Sequence, residues 1–148
     1  MTKYLTMGVV GKSLKEDEKR VAIHPEHIER IPKELRELIT FEKGYGLRFG
    51  MDDDTLAKLT SGRVAAKEEI LKGFDCVLMP KPLVADLNQI QDGTIVWGWP
   101  HCVQQKEMTQ ISISCRHRPV NPLAACRTIN ELAANSSVWL RFQLLFDQ

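Results

Sequence analysis

The chain has four cysteines but no Cys-x-x-C pair, no long apolar run and almost no net charge. Each lack removes a class of function. Without cysteines at ligand spacing there is no sign of a zinc site, so Cys76, Cys102, Cys115 and Cys126 read as reduced thiols of a cytoplasmic protein. No stretch approaches the roughly 20 apolar residues of a membrane helix. The opening Met1-Thr2-Lys3-Tyr4-Leu5-Thr6-Met7 is too short and polar for a secretory signal. A net charge of +1 supplies no field for nucleic acid or an anionic membrane, and neither is expected as a partner. What remains is ordinary: 43% hydrophobic and 26% charged residues, in a chain of 148 that can bury one core.

A phosphate cradle is also missing. Gly44-x-Gly46-x-x-x-Gly50 follows a β-like run and has the outline of a dinucleotide fingerprint. The next residues, Met51-Asp52-Asp53-Asp54, would put three negative charges where a pyrophosphate should meet a helix N-terminus. These glycines therefore read as turn residues, and no nucleotide is expected to bind this chain.

Apolar runs at 6–10, 39–42, 74–79 and 93–97 read as strands. Helical patterns lie between them. Ile28, Ile31, Leu35 and Leu38 form one apolar face behind Pro25, with a kink or break expected at Pro32. Residues 52–59 have acids at their N-terminal end, favourable for a helix. Further helical stretches are expected at 66–71, 84–91 and 103–110. This alternation predicts an α/β fold, a Rossmann-like or flavodoxin-like parallel sheet with helices on both faces.

The most informative stretch is Trp97-Gly98-Trp99-Pro100-His101-Cys102-Val103-Gln104-Gln105. It places His101 between a strand and a helix, the turn that faces ligands at the carboxyl edge of a parallel sheet. A histidine there can exchange protons near neutral pH. Lys81 follows the apolar run Cys76-Val77-Leu78-Met79 and is confined between Pro80 and Pro82. Arg20 precedes Val21-Ala22-Ile23, and its planar fork suits a carboxylate. Taken singly, each has a plainer reading: a solvated arginine, a surface lysine in a rigid turn, a capping histidine. Together they suit a small carboxylate whose neighbouring carbonyl or imine needs protonating. Trp97 and Trp99 read as pocket wall and core, His24 and Cys102 as structural, and Tyr45 and Arg48 as unassigned.

These segments resemble the N-terminal domain of the alanine dehydrogenase and pyridine nucleotide transhydrogenase family. The resemblance runs from about Leu5 to Gln110. Its opening is a Gly-Val strand followed by Glu-x-Arg-Val-Ala-x-x-Pro, here Gly8-Val9-Val10 and Glu18-Lys19-Arg20-Val21-Ala22-Ile23-His24-Pro25. Within the family, Met79-Pro80-Lys81-Pro82 and Trp97-Gly98-Trp99-Pro100-His101-Cys102 look most like carboxyethylornithine synthase. The resemblance implies an oxidoreductase substrate domain acting on pyruvate and the side-chain amine of ornithine or lysine, with NADP or NAD as cofactor of the full-length enzyme. It implies substrate binding by Arg20 and Lys81 and catalysis by His101 and Lys81. Alanine dehydrogenase and lysine-forming saccharopine dehydrogenase are the alternative enzymes. A non-catalytic small-acid-binding fragment, or the product of a decayed gene, is the alternative of another class.

Residue usage shifts after about 110. Residues 1–110 hold eleven lysines and five arginines, whereas 111–148 hold four arginines and no lysine. The expected organisation is a family-like substrate domain at 1–110 and a divergent or frameshifted tail at 111–148, the family's nucleotide-binding domain being absent. A helix could form at 130–146. The tail's apolar residues, Leu132, Val138, Trp139 and Phe142 among them, would cover an open sheet and favour a homo-oligomer.

Overall fold

Every described strand is only two to four residues long, so the sheet relies on burial of both faces rather than on ladder length. The computed structural model describes residues 5–115 and 118–120. Its strands are β1 (Met7–Val9), β2 (Ile39–Glu42), β3 (Val64–Ala65), β4 (Cys76–Leu78), β5 (Ile95–Trp97) and β6 (Arg118–Val120). All pair in parallel, in the order β3-β2-β1-β4-β5-β6. Alternate side chains feed two cores, as a doubly covered sheet requires. Met7, Val9, Phe41, Cys76, Leu78 and Trp97 face one core. Val77, Met79 and Val96 face the other.

The first core is closed by a 3-10 turn (Pro25–Arg30), α1 (Lys33–Arg36) and α2 (Asp53–Leu59), through Ile28, Leu35 and Leu56. The expected break at Pro32 is present: Ile31 is extended (φ −76°, ψ 129°), as a residue before proline prefers, and α1 starts afresh behind Pro32. In α2 the carboxylate of Asp52 accepts the Thr55 N–H at 2.7 Å, an N-cap, with Asp53 and Asp54 in the first turn. The second core is closed by α3 (Lys67–Gly73), α4 (Val84–Leu87) and α5 (Lys106–Ser114), through Ile70, Leu87 and Met108.

Two expectations shift in detail. The helix expected at 84–91 is a single turn, Val84–Leu87. The helix expected at 103–110 is a 3-10 turn (Cys102–Gln104) followed by α5, which runs to Ser114. The boundary expected at 110 therefore falls inside α5. The reason is packing: Met108 is buried in the second core and Ile111 packs against it, so the apolar face crosses that position. Beyond α5, β6 pairs with β5, Ile95 opposite Arg118. The helix expected at 130–146 lies outside the described residues. Among the described residues no helix is long and apolar enough to cross a membrane.

Candidate active site

Strand order decides where a ligand can enter. The chain runs from β1 outward through β2 and β3, then returns to β4 beside β1 and continues to β5. The gap between the carboxyl ends of β1 and β4 is a topological switch point, where the connecting loops part and leave a crevice. The loops leaving β1, β4 and β5 carry Arg20, Lys81 and His101 respectively. The loops that carry the three expected residues thus leave three adjacent strands at one edge of the sheet.

Residues 10–24, after β1, form no helix or strand and are held by side chains. The Gly11 N–H donates to Glu42 Oε2 at 2.7 Å, and Lys67 Nζ donates to the Lys12 carbonyl at 2.9 Å. The Leu14 N–H donates to both oxygens of Asp86, at 3.0 and 3.2 Å. Asp86 is buried in the first turn of α4 and also accepts the Leu83 N–H at 2.9 Å. One carboxylate therefore ties the Arg20 loop to the turn that follows Lys81.

Arg20 is held by Glu18. Its Nε and Nη2 donate to Glu18 Oε1 and Oε2, each at 2.7 Å, and its backbone N–H reaches Oε1 at 3.0 Å. The Glu18 side chain is 2% exposed and that of Arg20 64%. The pair thus uses one edge of the guanidinium on the protein side and presents the rest of the fork to solvent, a geometry suited to an incoming carboxylate. The Arg20 side-chain hydrogen bonds hold the Glu18 carboxyl at about 2 against an ordinary 4.5, outweighing burial, which opposes ionisation. A depressed carboxyl stabilises the fold above its unfolded value and loses that contribution as pH falls through its folded one. The pair should be fully formed above pH 4.5, weaken below it and be lost near pH 2. A carboxyl carbon titration by NMR that places the Glu18 midpoint at 4 or higher would disprove this pairing.

Lys81 and His101 belong to loops in direct backbone contact. The Met79 N–H donates to the Trp97 carbonyl at 2.9 Å and the Trp99 N–H to the Pro80 carbonyl at 3.2 Å. Gly98 sits between these bonds, and any Cβ there would lie inside van der Waals contact with the Met79 carbonyl oxygen. Only glycine permits this approach. Lys81 is partly buried between buried Pro80 and Pro82.

His101 is the one described non-glycine residue with positive φ, at φ 52° and ψ 34°. A left-handed residue costs about 1 kcal/mol, and such strain concentrates at functional positions. His101 does occupy the capping position of the 3-10 turn Cys102–Gln104, but its side chain makes no capping hydrogen bond. Its carbonyl instead accepts the Gln104 and Gln105 N–H groups at 2.9 and 3.1 Å, which leaves the imidazole unclaimed by the cap.

Other expected roles resolve plainly. Trp97 is core and Trp99 is partly buried. His24 is structural: its Nδ1 accepts the Glu26 N–H at 3.4 Å and its ring stands edge-on to Phe49 at 4.5 Å. Burial pushes the Cys102 thiol up, away from nucleophilic use. Gly44 and Gly50 are turn residues with φ of 80° and 78°. A cleft of about 420 Å³, lined by Lys72, Asp75, Asp92 and Thr94, lies at the opposite, amino-terminal edge of β4 and β5, away from all three candidate residues.

Glu18, Asp86, Gly98 and Tyr45 were not singled out in the sequence as parts of the site. Glu18 could have been found, since it stands two residues before Arg20 in the same motif. Gly98, between two tryptophans where a strand ends, is also a readable signal. Asp86 and Tyr45 have partners distant in sequence and no local signature.

No family model matches the chain. An N(5)-(carboxyethyl)ornithine synthase from Clostridium botulinum is 35% identical over 86 residues, 57% of this chain and 26% of that protein. An L-alanine dehydrogenase structure superimposes with a TM-score of 0.63 at 19% identity, covering 80% of this chain and 32% of its own. A transhydrogenase from Sinorhizobium meliloti gives 0.63 at 20% identity, covering 79% and 34%. The chain is thus similar in sequence to part of a carboxyethylornithine synthase and shares its fold with alanine dehydrogenase and transhydrogenase. It spans about a quarter of the length of the curated relative.

The strand order is that of a dinucleotide fold. The N–H groups of Gly11 and Leu14, at the mouth of the switch point, already bond the carboxylates of Glu42 and Asp86. These N–H groups are thus already taken by the chain's own carboxylates. Asp53 likewise takes the Gly44 N–H at 2.8 Å in the glycine turn. Calorimetric titration of the chain with NADPH should show no binding. A dissociation constant in the low micromolar range would reveal a nucleotide site elsewhere.

Proposed function

We propose that this chain is the substrate-binding half of an NAD(P)H-dependent oxidoreductase that reductively condenses pyruvate with the side-chain amine of ornithine or lysine. The observation that carries this reading is the Gly98 contact, which sets the Lys81 and His101 loops side by side next to the Arg20 loop. On this reading Arg20 and Lys81 take the pyruvate carboxylate, and Lys81 also directs its charge at the keto oxygen. His101 carries the proton that imine formation and reduction require. Hydride would come from a nucleotide held outside the described residues. The similarity to a carboxyethylornithine synthase supports this choice over alanine dehydrogenase or saccharopine dehydrogenase.

Pyruvate binding by the chain should be weak, in the millimolar range, because an open crevice leaves the charge pairs screened by solvent. Arg20→Ala and Lys81→Ala should each weaken it about tenfold, the loss of one charge-assisted hydrogen-bonded contact. Amide shift titration by NMR checks this. The assignment fails if both variants bind pyruvate as the parent does. A second reading, a non-catalytic small-acid binder, is favoured by the carboxylates that fill the switch-point loop. It predicts pyruvate binding that added ornithine does not alter.

A further inference from the structure

We propose that Tyr45 is a positioning residue for Arg20. Residues 19–23 make no backbone–backbone hydrogen bond among the described residues, although Ile23 is buried. The Tyr45 phenol supplies what the backbone lacks. Its O–H donates to the Ile23 carbonyl at 2.7 Å and its oxygen accepts the Ile23 N–H at 3.1 Å. Both polar groups of a buried residue are thereby satisfied by one side chain. Tyr45 is itself 5% exposed and its ring packs edge-on against Phe41 of β2 at 4.7 Å. The phenol is therefore a fixed point of the core, and Ile23 is pinned to it three residues after Arg20.

Arg20 is then held from both directions. On its N-terminal side Glu18 bonds its backbone and guanidinium. On its C-terminal side Val21 and Ala22 pack against the first core and lead to the Tyr45 clamp. Without the clamp, residues 19–23 would be held only by Glu18 and by non-directional packing of Val21, Ala22 and Ile23, and the exposed guanidinium would lose its direction. Burial pushes the Tyr45 phenol up, so it remains a donor throughout the working range of pH. The use of this device to aim Arg20 at a carboxylate rests on the reading proposed above.

The test is Tyr45→Phe in the full chain, which keeps the ring and removes only the hydroxyl. Two quantities are measured by NMR: solvent exchange of the Arg20 Nε–H, and the dissociation constant for pyruvate. Tyr45→Phe should speed the exchange about tenfold and weaken pyruvate at least fivefold. Phe41→Leu, a packing change against the same ring, should lower the melting temperature while leaving Arg20 Nε–H exchange unchanged. Arg20→Ala separates this inference from the functional one. If Arg20→Ala weakens pyruvate but Tyr45→Phe alters neither quantity, the positioning role is wrong and the functional reading stands. If Tyr45→Phe speeds the exchange while Arg20→Ala leaves pyruvate binding intact, Tyr45 positions Arg20 but the carboxylate role is wrong. Equal acceleration by Phe41→Leu would reduce Tyr45 to a core residue and overturn the proposal.

Discussion

Replacing Gly98 by alanine should destabilise the domain by about 3 kcal/mol and abolish measurable pyruvate binding. The added Cβ meets the Met79 carbonyl oxygen and carbon and approaches Pro82 Cδ at 3.5 Å. No side-chain movement relieves this, because the closest obstruction is the Met79 main chain. The two loops must separate, which breaks the Met79–Trp97 and Trp99–Pro80 hydrogen bonds and moves the loop carrying Lys81 away from the loop carrying His101. Buried backbone groups then lose their partners, so the cost exceeds that of an ordinary surface glycine replacement. Urea unfolding measures the first effect and an NMR titration the second. An alanine variant with the parent's urea midpoint would mean that the loops do not touch in solution.

Asp86→Ala should cost about 2–4 kcal/mol, close in size but different in cause. It strands the Leu14 and Leu83 N–H groups, which now share a buried carboxylate. Asp86→Asn keeps one acceptor but turns an NH2 group toward a donor, so its loss should be intermediate. Hydrogen exchange should show Leu14 and Leu83 as the first amides to lose protection, since both lie at the ends of the broken link. If Asp86→Ala unfolds at the parent's denaturant concentration, the carboxylate does not join the two loops.

The alternation of strands and helices was legible because it depends on local pattern. β2 lies where the apolar alternation put it, and α2 starts behind the acids that cap it. The break at Pro32 was legible for the same reason, a covalent restriction on the preceding residue. Element ends were less so. The single turn of α4 is followed by Gln89 and Ile90, whose N–H groups bond locally to Asp86 and Leu87, and Gln91, whose N–H is drawn off to the Leu71 carbonyl. The continuation of α5 past 110 is set by the core it packs on, and a shift in lysine usage carries no information about packing.

At the candidate site the division is sharper. The sequence by itself nominated Arg20, Lys81 and His101, since residue type and position after a strand are local properties. It also determined that the glycine run is a turn, because three acids follow it. Tertiary structure alone decided which loops meet. The return of the chain to β4 beside β1 puts the loops carrying the three residues at one edge, and strand order is a global property that no segment encodes. The same holds for the partners that aim them. Tyr45 with Ile23 and Asp86 with Leu14 are joined across 22 and 72 residues of chain, by the need of buried backbone groups for a hydrogen bond.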